Sequence, residues 1–214
     1  MTTTEPVRGY HHGNLPQTLV TAAVDLIRDA GPEALSVRAV TRAAGVSPSA
    51  AYRHFTDLDD LRRAVARRIA ADLSATMVRT LAEFGDADGP EGAVNRLRAV
   101  GLGYIRYTLA EPDLFEFAFS TRGGGLDDPL TDEPDPALML VEALDAMQAA
   151  GVLAPDRRAG AEWPCWSLVH GFADLVGRGP LRGLPATEVD QLARAAVDTI
   201  IGGLVRPALP GGSA

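Results

Sequence analysis

Apolar residues recur along this chain at three- and four-residue intervals, not in the two-residue alternation of a strand, and the pattern predicts helices throughout. A first helix is expected over residues 15–30, with Leu19, Ala22, Ala23, Leu26, Ile27 and Ala30 on one face and Gly31-Pro32 as its stop. Asn14 and Gln17 have capping-box spacing, while Pro16 disfavours helical geometry at Leu15, so either Leu15 or Pro16 opens it. A second, short helix is expected after Ser36 as N-cap, carrying Val37, Val40 and Ala44 inward and ending at Gly45 after about ten residues. Ser47 is then placed to cap a third short helix with Pro48 at its first position and Ala51 and Phe55 as its inward pair. Thr56 or Asp57 opens a long fourth helix whose Leu58, Leu61, Val65, Ile69, Leu73, Met77 and Leu81 repeat as far as about Phe84. Further helices are predicted at about 91–110, 112–120, 136–150, 157–176 and 187–206. Pro164 is expected either to kink the penultimate one or to mark its true start near Trp163.

The fold class expected is therefore all-α, and 214 residues give one large domain or two small ones. No segment approaches the length of apolar sequence needed for a membrane span, and Met1 to Gly9 has no secretory-signal pattern, so a cytoplasmic location is expected. Cys165 is the single cysteine, which excludes an intrachain disulfide or a multi-cysteine zinc cluster. The net charge of −8 would argue against nucleic acid if it were evenly spread. Residues 1–70, however, hold nine Arg against seven acids, and the excess of acid lies entirely in the remainder. Three of the four histidines, His11, His12 and His54, share this positive front end, an asymmetry that fits a polyanion-binding module on an acidic body. The acid-, Gly- and Pro-rich stretch 121–135 is expected to be a loop with solvated charges.

Helix, glycine turn and Ser-Pro-started helix between Ser36 and Phe55 form the arrangement a helix-turn-helix requires. Ser47, Pro48, Ser49 and Ala50 are small enough to let a helix end enter the major groove, about 12 Å wide. Tyr52, Arg53 and His54 add a phenol, a guanidinium able to bind guanine or phosphate, and an imidazole. Arg38 and Arg42 lie four residues apart on the preceding helix.

These residues carry a resemblance. Leu35 to Val40, Ala44 to Phe55 and Asp60-Leu61 together resemble the DNA-binding domain of TetR-family transcriptional regulators, over roughly residues 13–73 with the helix-turn-helix at 36–55. Arg8 to Leu15 looks like the entry to the first helix in one subgroup, although Pro16 departs from the basic or polar residue usual there. Trp166-Ser167-Leu168-Val169-His170-Gly171 resembles the Trp-x3-His-Gly signature of a C-terminal domain subgroup. The resemblance implies a three-helix DNA-binding domain joined by the long fourth helix to a ligand-binding and dimerisation domain over 74–214. It implies a nucleoid-associated homodimer on a near-palindromic double-stranded operator, its recognition helices one turn apart, and repression relieved by a small-molecule effector. An activator or a ligand-independent regulator of the same fold is the alternative.

Carried over residue by residue, the DNA contacts expected are Ser36, Arg38, Ser47, Pro48, Ser49, Ala50, Tyr52, Arg53, His54 and Thr56, with Tyr10, His11 and His12 touching backbone from the arm. The aromatic and methionine residues Tyr104, Tyr107, Phe115, Phe119, Met139, Trp163 and Trp166, with His170, are the expected ligand pocket. The wide stripe of the last helix with part of the preceding one, Val169, Phe172, Val176, Val189, Leu192, Ala196, Ile200 and Leu204, is the expected dimer interface. No cofactor or metal is expected, because His11 and His12 point apart as neighbours and have no third ligand. An all-α enzyme using His170, Asp174 and Cys165 is the competing class, but no nucleophile elbow, phosphate loop or dinucleotide fingerprint accompanies them. A plain adaptor bundle would leave Tyr52, Arg53 and His54 without a purpose.

Overall fold

A computed structural model describes residues 14–121 and 135–205. Tyr10, His11, His12, most of the expected acidic loop and Arg206 lie outside those residues. Among the described residues there are nine α-helices and no strand: α1 Leu15–Ala30, α2 Val37–Ala43, α3 Pro48–Ala51, α4 Leu58–Ala82, α5 Gly89–Ala110, α6 Pro112–Thr121, α7 Pro136–Ala149, α8 Glu162–Gly177 and α9 Ala186–Val205. Single 3₁₀ turns occur at Pro32–Ala34 and Pro155–Arg157. The chain divides into two compact units, Met1–Val65 and Ala66–Ala214.

In the first unit, α1 packs on α2 and α3, and α2 on α3. α1 begins at Leu15 with Pro16 tolerated in its first turn; Asn14 occupies the N-cap position, but its side chain makes no cap bond. The buried stripe of α1 is Leu19, Val20, Ala23, Val24 and Ile27. It is turned toward Val20 and Val24 relative to the expected face, which leaves Ala22 and Leu26 half-buried and Ala30 exposed. Two neighbouring helices must be covered, so the stripe widens on one flank.

The start of α4 is held by a reciprocal cap. Asp57 Oδ1 accepts from the Asp60 amide at 2.7 Å, and Asp60 Oδ2 accepts from the Thr56 amide at 3.0 Å. Asp57 is thus the residue that opens the helix, and the carboxylates of Asp59 and Asp60 lie in its first turn, where the macrodipole favours them. α4 runs unbroken for 25 residues, about 37 Å at 1.5 Å per residue.

α5 is the hub of the second unit and packs against α6, α7, α8 and α9. Its glycines permit close approach: a Cβ on Gly103 would stand 2.7 Å from Met77 Cα and 3.0 Å from Met77 N of α4. Gly103→Ala is therefore expected to lower the urea midpoint of unfolding. The overpacking, about 1–3 kcal/mol, outweighs the gain of about 1 kcal/mol that alanine has over glycine inside a helix. Ion pairs brace the same helices. Arg98 of α5 reaches Asp198 of α9 at 2.7 Å, and Arg158 joins Asp145 of α7 at 2.6 Å to Glu162 of α8 at 3.0 Å. α8 starts at Glu162, so Pro164 sits in its first turn and no kink is needed.

Candidate nucleic-acid interface and effector cavity

The helix-turn-helix is built by short-range bonds. Ser36 Oγ accepts from the Ala39 amide at 3.2 Å and caps α2, as its sequence position predicts. α2 is only seven residues long because the chain leaves right-handed helical geometry at Gly45, φ 69°, directly after the C-cap Ala44. There the Val46 amide donates to Thr41 O at 2.9 Å and the Gly45 amide to Arg42 O at 3.2 Å, closing the helix end. Only glycine takes that left-handed position without strain.

α3 is a single turn, Pro48–Ala51, shorter than the sequence suggests. Amide bonds carry the helical path onward: Tyr52 to Pro48 O at 3.1 Å, His54 to Ala51 O at 2.9 Å and Phe55 to Ala51 O at 3.0 Å. Ser47 holds the N-cap position without capping; its hydroxyl is bonded to Ser49 Oγ at 2.9 Å. Ala51 and Phe55 are buried, as expected for the inward pair. Ala50 is buried too, at 9% exposure, which corrects its place among the outward residues: its methyl belongs to the packing side of α3. Ser36, Arg38, Ser47, Pro48, Ser49, Tyr52, Arg53, His54 and Thr56 are all exposed. Arg38 and Arg42 share the exposed side of α2.

The second unit contains a partly open cavity. Its lining draws Ile69, Ala70, Leu73 and Met77 from α4, Leu97, Val100, Gly101 and Tyr104 from α5, and Phe115, Ala118 and Phe119 from α6. Pro136, Ala137 and Leu140 of α7, Cys165, Trp166 and Val169 of α8, and Val197, Ile200 and Ile201 of α9 complete it. Of the expected pocket residues, Tyr104, Phe115, Phe119 and Trp166 are in this lining.

The others are placed elsewhere. Tyr107 is buried on α5 but stands outside the lining. Met139 is half-buried beside the lining face formed by Pro136, Ala137 and Leu140. Trp163 is 56% exposed and stacks on Trp166, with centroids 6.0 Å apart and planes 9° from parallel. His170 is outside the lining but bonds to one of its members, Tyr104. The aliphatic members from α4 and α9 escape a sequence reading, because they look like ordinary core positions.

Tyr104, Trp166 and His170 form a relay. The indole N–H of Trp166 can only donate, and Tyr104 Oη accepts it over a long 3.4 Å. The same Oη is bonded to His170 Nδ1 at 2.8 Å, the imidazole tautomer deciding which of the two donates. Phe119 lies 4.9 Å and Phe115 5.7 Å from the imidazole, centroid to centroid. Burial lowers the His170 pKa against the opposing pull of Asp174, with Arg178 lowering it further. Burial also raises the Tyr104 hydroxyl well above its usual range and pushes the Cys165 thiol up to about 11, with Glu162 adding to the latter. All three groups are neutral at pH 7.

A proton that prefers the unfolded imidazole makes stability rise with pH. As pH falls below 6.5, the unfolded-state value, the contribution of His170 is progressively lost, and the loss levels off below the native pKa. The melting temperature of His170→Gln is accordingly expected to fall less between pH 7 and pH 5 than that of the parent, as measured by thermal scans at matched ionic strength.

Of the expected dimer residues, Val169, Phe172 and Leu204 are buried within the single chain, and Val169 and Ile200 line the cavity. The intrachain core claims them because α8 and α9 both pack on α5. Val176, Val189 and Ala196 are half-buried, and Leu192 is 38% exposed. The outward faces instead present Ser167, Gly171 and Leu175 on α8, and Leu192, Ala195, Thr199 and Gly203 on α9. A Cβ on Gly171 or Gly203 would meet nothing within 4 Å.

An exposed helix-turn-helix edge in one unit and an apolar cavity in another define a DNA-binding regulator with a helical second domain. The family model described as "Bacterial regulatory proteins, tetR family" matches residues 19–65, and "Tetracyclin repressor-like, C-terminal domain" matches residues 97–200. The chain belongs to the TetR family and is a DNA-binding transcriptional regulator, not an enzyme.

Similar solved structures include a protein of unknown function from Rhodococcus sp. RHA1, with 27% identity over 94% of this chain and 100% of that one and a TM-score of 0.73. A single-substitution variant of TetR from Acinetobacter baumannii AYE, in complex with minocycline, shares 20% identity over 87% and 94% of the two chains, with a TM-score of 0.60. The fatty acid degradation regulator FadR from Bacillus halodurans shares 14% identity over 91% and 98%, with a TM-score of 0.61. No curated protein matches the sequence. Among the described residues, no helix is long and apolar enough to cross a membrane.

Proposed function

We propose that the protein is a repressor that holds a near-palindromic operator as a homodimer and releases it when a small molecule fills the cavity. One observation carries this reading. The helix that opens directly after the helix-turn-helix, α4, supplies Ile69, Ala70, Leu73 and Met77 to the cavity wall. A ligand that moves those side chains acts on the same continuous helix that begins at the reading edge, and linkage then requires operator and ligand to weaken each other equally. The two TetR-type regions, and a minocycline complex of a protein with this fold, support the reading.

DNA contact falls to Ser36, Arg38, Ser47, Pro48, Ser49, Tyr52, Arg53, His54 and Thr56, with base choice resting chiefly on Arg53 and the Ser47–Ser49 edge. Dimerisation uses the outward faces of α8 and α9, where small residues let helices approach and Leu175 and Leu192 supply apolar area. The test is electrophoretic retardation of the DNA upstream of the gene across a salt series. The expected result is selective binding whose logarithm falls linearly with log salt. Equal retardation of unrelated DNA would reject the operator, and release by no tight-binding compound would reject effector control.

A further inference from the structure

The side chains around the cavity narrow the class of molecule it takes, an inference that rests on the effector-binding role proposed above. Among the described residues every lining side chain is uncharged, so this wall is hydrocarbon and aromatic surface with four weakly polar atoms, on Met77, Tyr104, Cys165 and Trp166. An ionised carboxylate or ammonium entering it exchanges hydration for a wall with no counter-charge, whereas an apolar body gains by leaving water.

The aromatic members are preassembled. Phe115 and Phe119 stack with centroids 5.9 Å apart, Tyr104 meets Phe115 edge-on at 5.3 Å, and Trp166 meets Phe119 edge-on at 6.3 Å. Their fixed orientation costs little to maintain on binding and suits a flat ring. The polar handle is the Tyr104 hydroxyl. It is held to His170 at 2.8 Å, but its bond from Trp166 is a long 3.4 Å, so a ligand hydroxyl can displace that indole as donor to Tyr104 Oη. A ligand carbonyl or the same hydroxyl can in turn accept the indole N–H.

We propose that the effector is an uncharged, ring-bearing small molecule with one hydroxyl or carbonyl group, its ring on the Phe115–Phe119–Trp166 wall and its polar group at the Tyr104–Trp166 pair. Titration calorimetry on the full chain at pH 7 tests this with 2-naphthol, naphthalene, 2-naphthoate and 2-naphthylmethylammonium. The expected order places 2-naphthol first, with both ions at least tenfold weaker. Tyr104→Phe is expected to weaken 2-naphthol severalfold and leave naphthalene unchanged, and Ala137→Trp, which fills the cavity, to abolish all binding.

An ion binding within tenfold of 2-naphthol, or more tightly, overturns the neutral class while leaving a ligand cavity in place. Tyr104→Phe without effect on 2-naphthol overturns the handle. If no probe binds, or if a folded Ala137→Trp binds as the parent does, the cavity is not the ligand site and the effector role fails with the inference. Should Ala137→Trp not fold, the four-probe order and Tyr104→Phe decide alone.

Discussion

If the proposed homodimer joins through α8 and α9, Gly171→Arg is expected to give a monomer and to lower operator affinity by about 10²–10⁴-fold, the range by which two tethered sites exceed one. Gly171 lies on the exposed side of α8, where an added Cβ meets nothing within 4 Å, so the single chain accommodates the new side chain. In a symmetric interface the same substitution appears twice near the axis, placing two guanidinium groups where helices are meant to touch. Sedimentation velocity reads the mass, circular dichroism confirms that helicity is kept, and fluorescence anisotropy with labelled operator reads the affinity. A variant that stays dimeric would move the interface away from the α8 and α9 faces.

Arg53→Ala is expected to lower affinity for the proposed operator by about 1–3 kcal/mol at matched salt, roughly 5- to 150-fold. Arg53 is exposed on the bonded turn that follows α3, and the buried Ala51 and Phe55 on either side fix its backbone to the core of the first unit. A guanidinium presented this way can bind guanine O6 and N7 with two parallel bonds. Arg53→Lys keeps the charge and loses the fork, so it should retain binding to scrambled DNA while losing preference for the operator. If both variants weaken operator and scrambled DNA alike, and the salt slope falls by about one, Arg53 meets phosphate and base choice lies elsewhere on the edge. Unchanged affinity in Arg53→Ala would remove it from the interface.

Helix positions are legible wherever the chain carries local punctuation. Gly31-Pro32, Ser36, Gly45 and Pro48 each act through their own backbone geometry, and α1 and the start of α2 fall where those residues predict. What depends on the third dimension is less legible. Two serines precede two short helices in the same sequence position, yet Ser36 caps α2 while Ser47 bonds to Ser49, because the alternative hydroxyl two residues away exists only in the second case. Ala50 and Ala51 are adjacent alanines, and nothing in their chemistry says that both are buried.

The cavity divides along the same line. Aromatic residues stand out against an aliphatic background, so Tyr104, Phe115, Phe119 and Trp166 can be named from the sequence. Leu73, Leu140 and Val197 are indistinguishable from core residues until the packing of the helices shows which ones face open space. For α9 the stripe is recognisable but its assignment is not, since a helix wide enough in apolar surface to serve two neighbours does not declare which flank serves which. Ala193, Val197, Ile201 and Leu204 are buried within the chain, and the other flank is more exposed.

The chain has two tryptophans, and they are the stacked pair at the start of α8. Near-parallel indoles with centroids 6.0 Å apart constrain each other's orientation. One member belongs to the cavity wall and the other is open to solvent, so a tilt of the inner ring changes the stacking of the outer one. The stacked pair thus joins the cavity wall to the solvent-facing surface of the second unit.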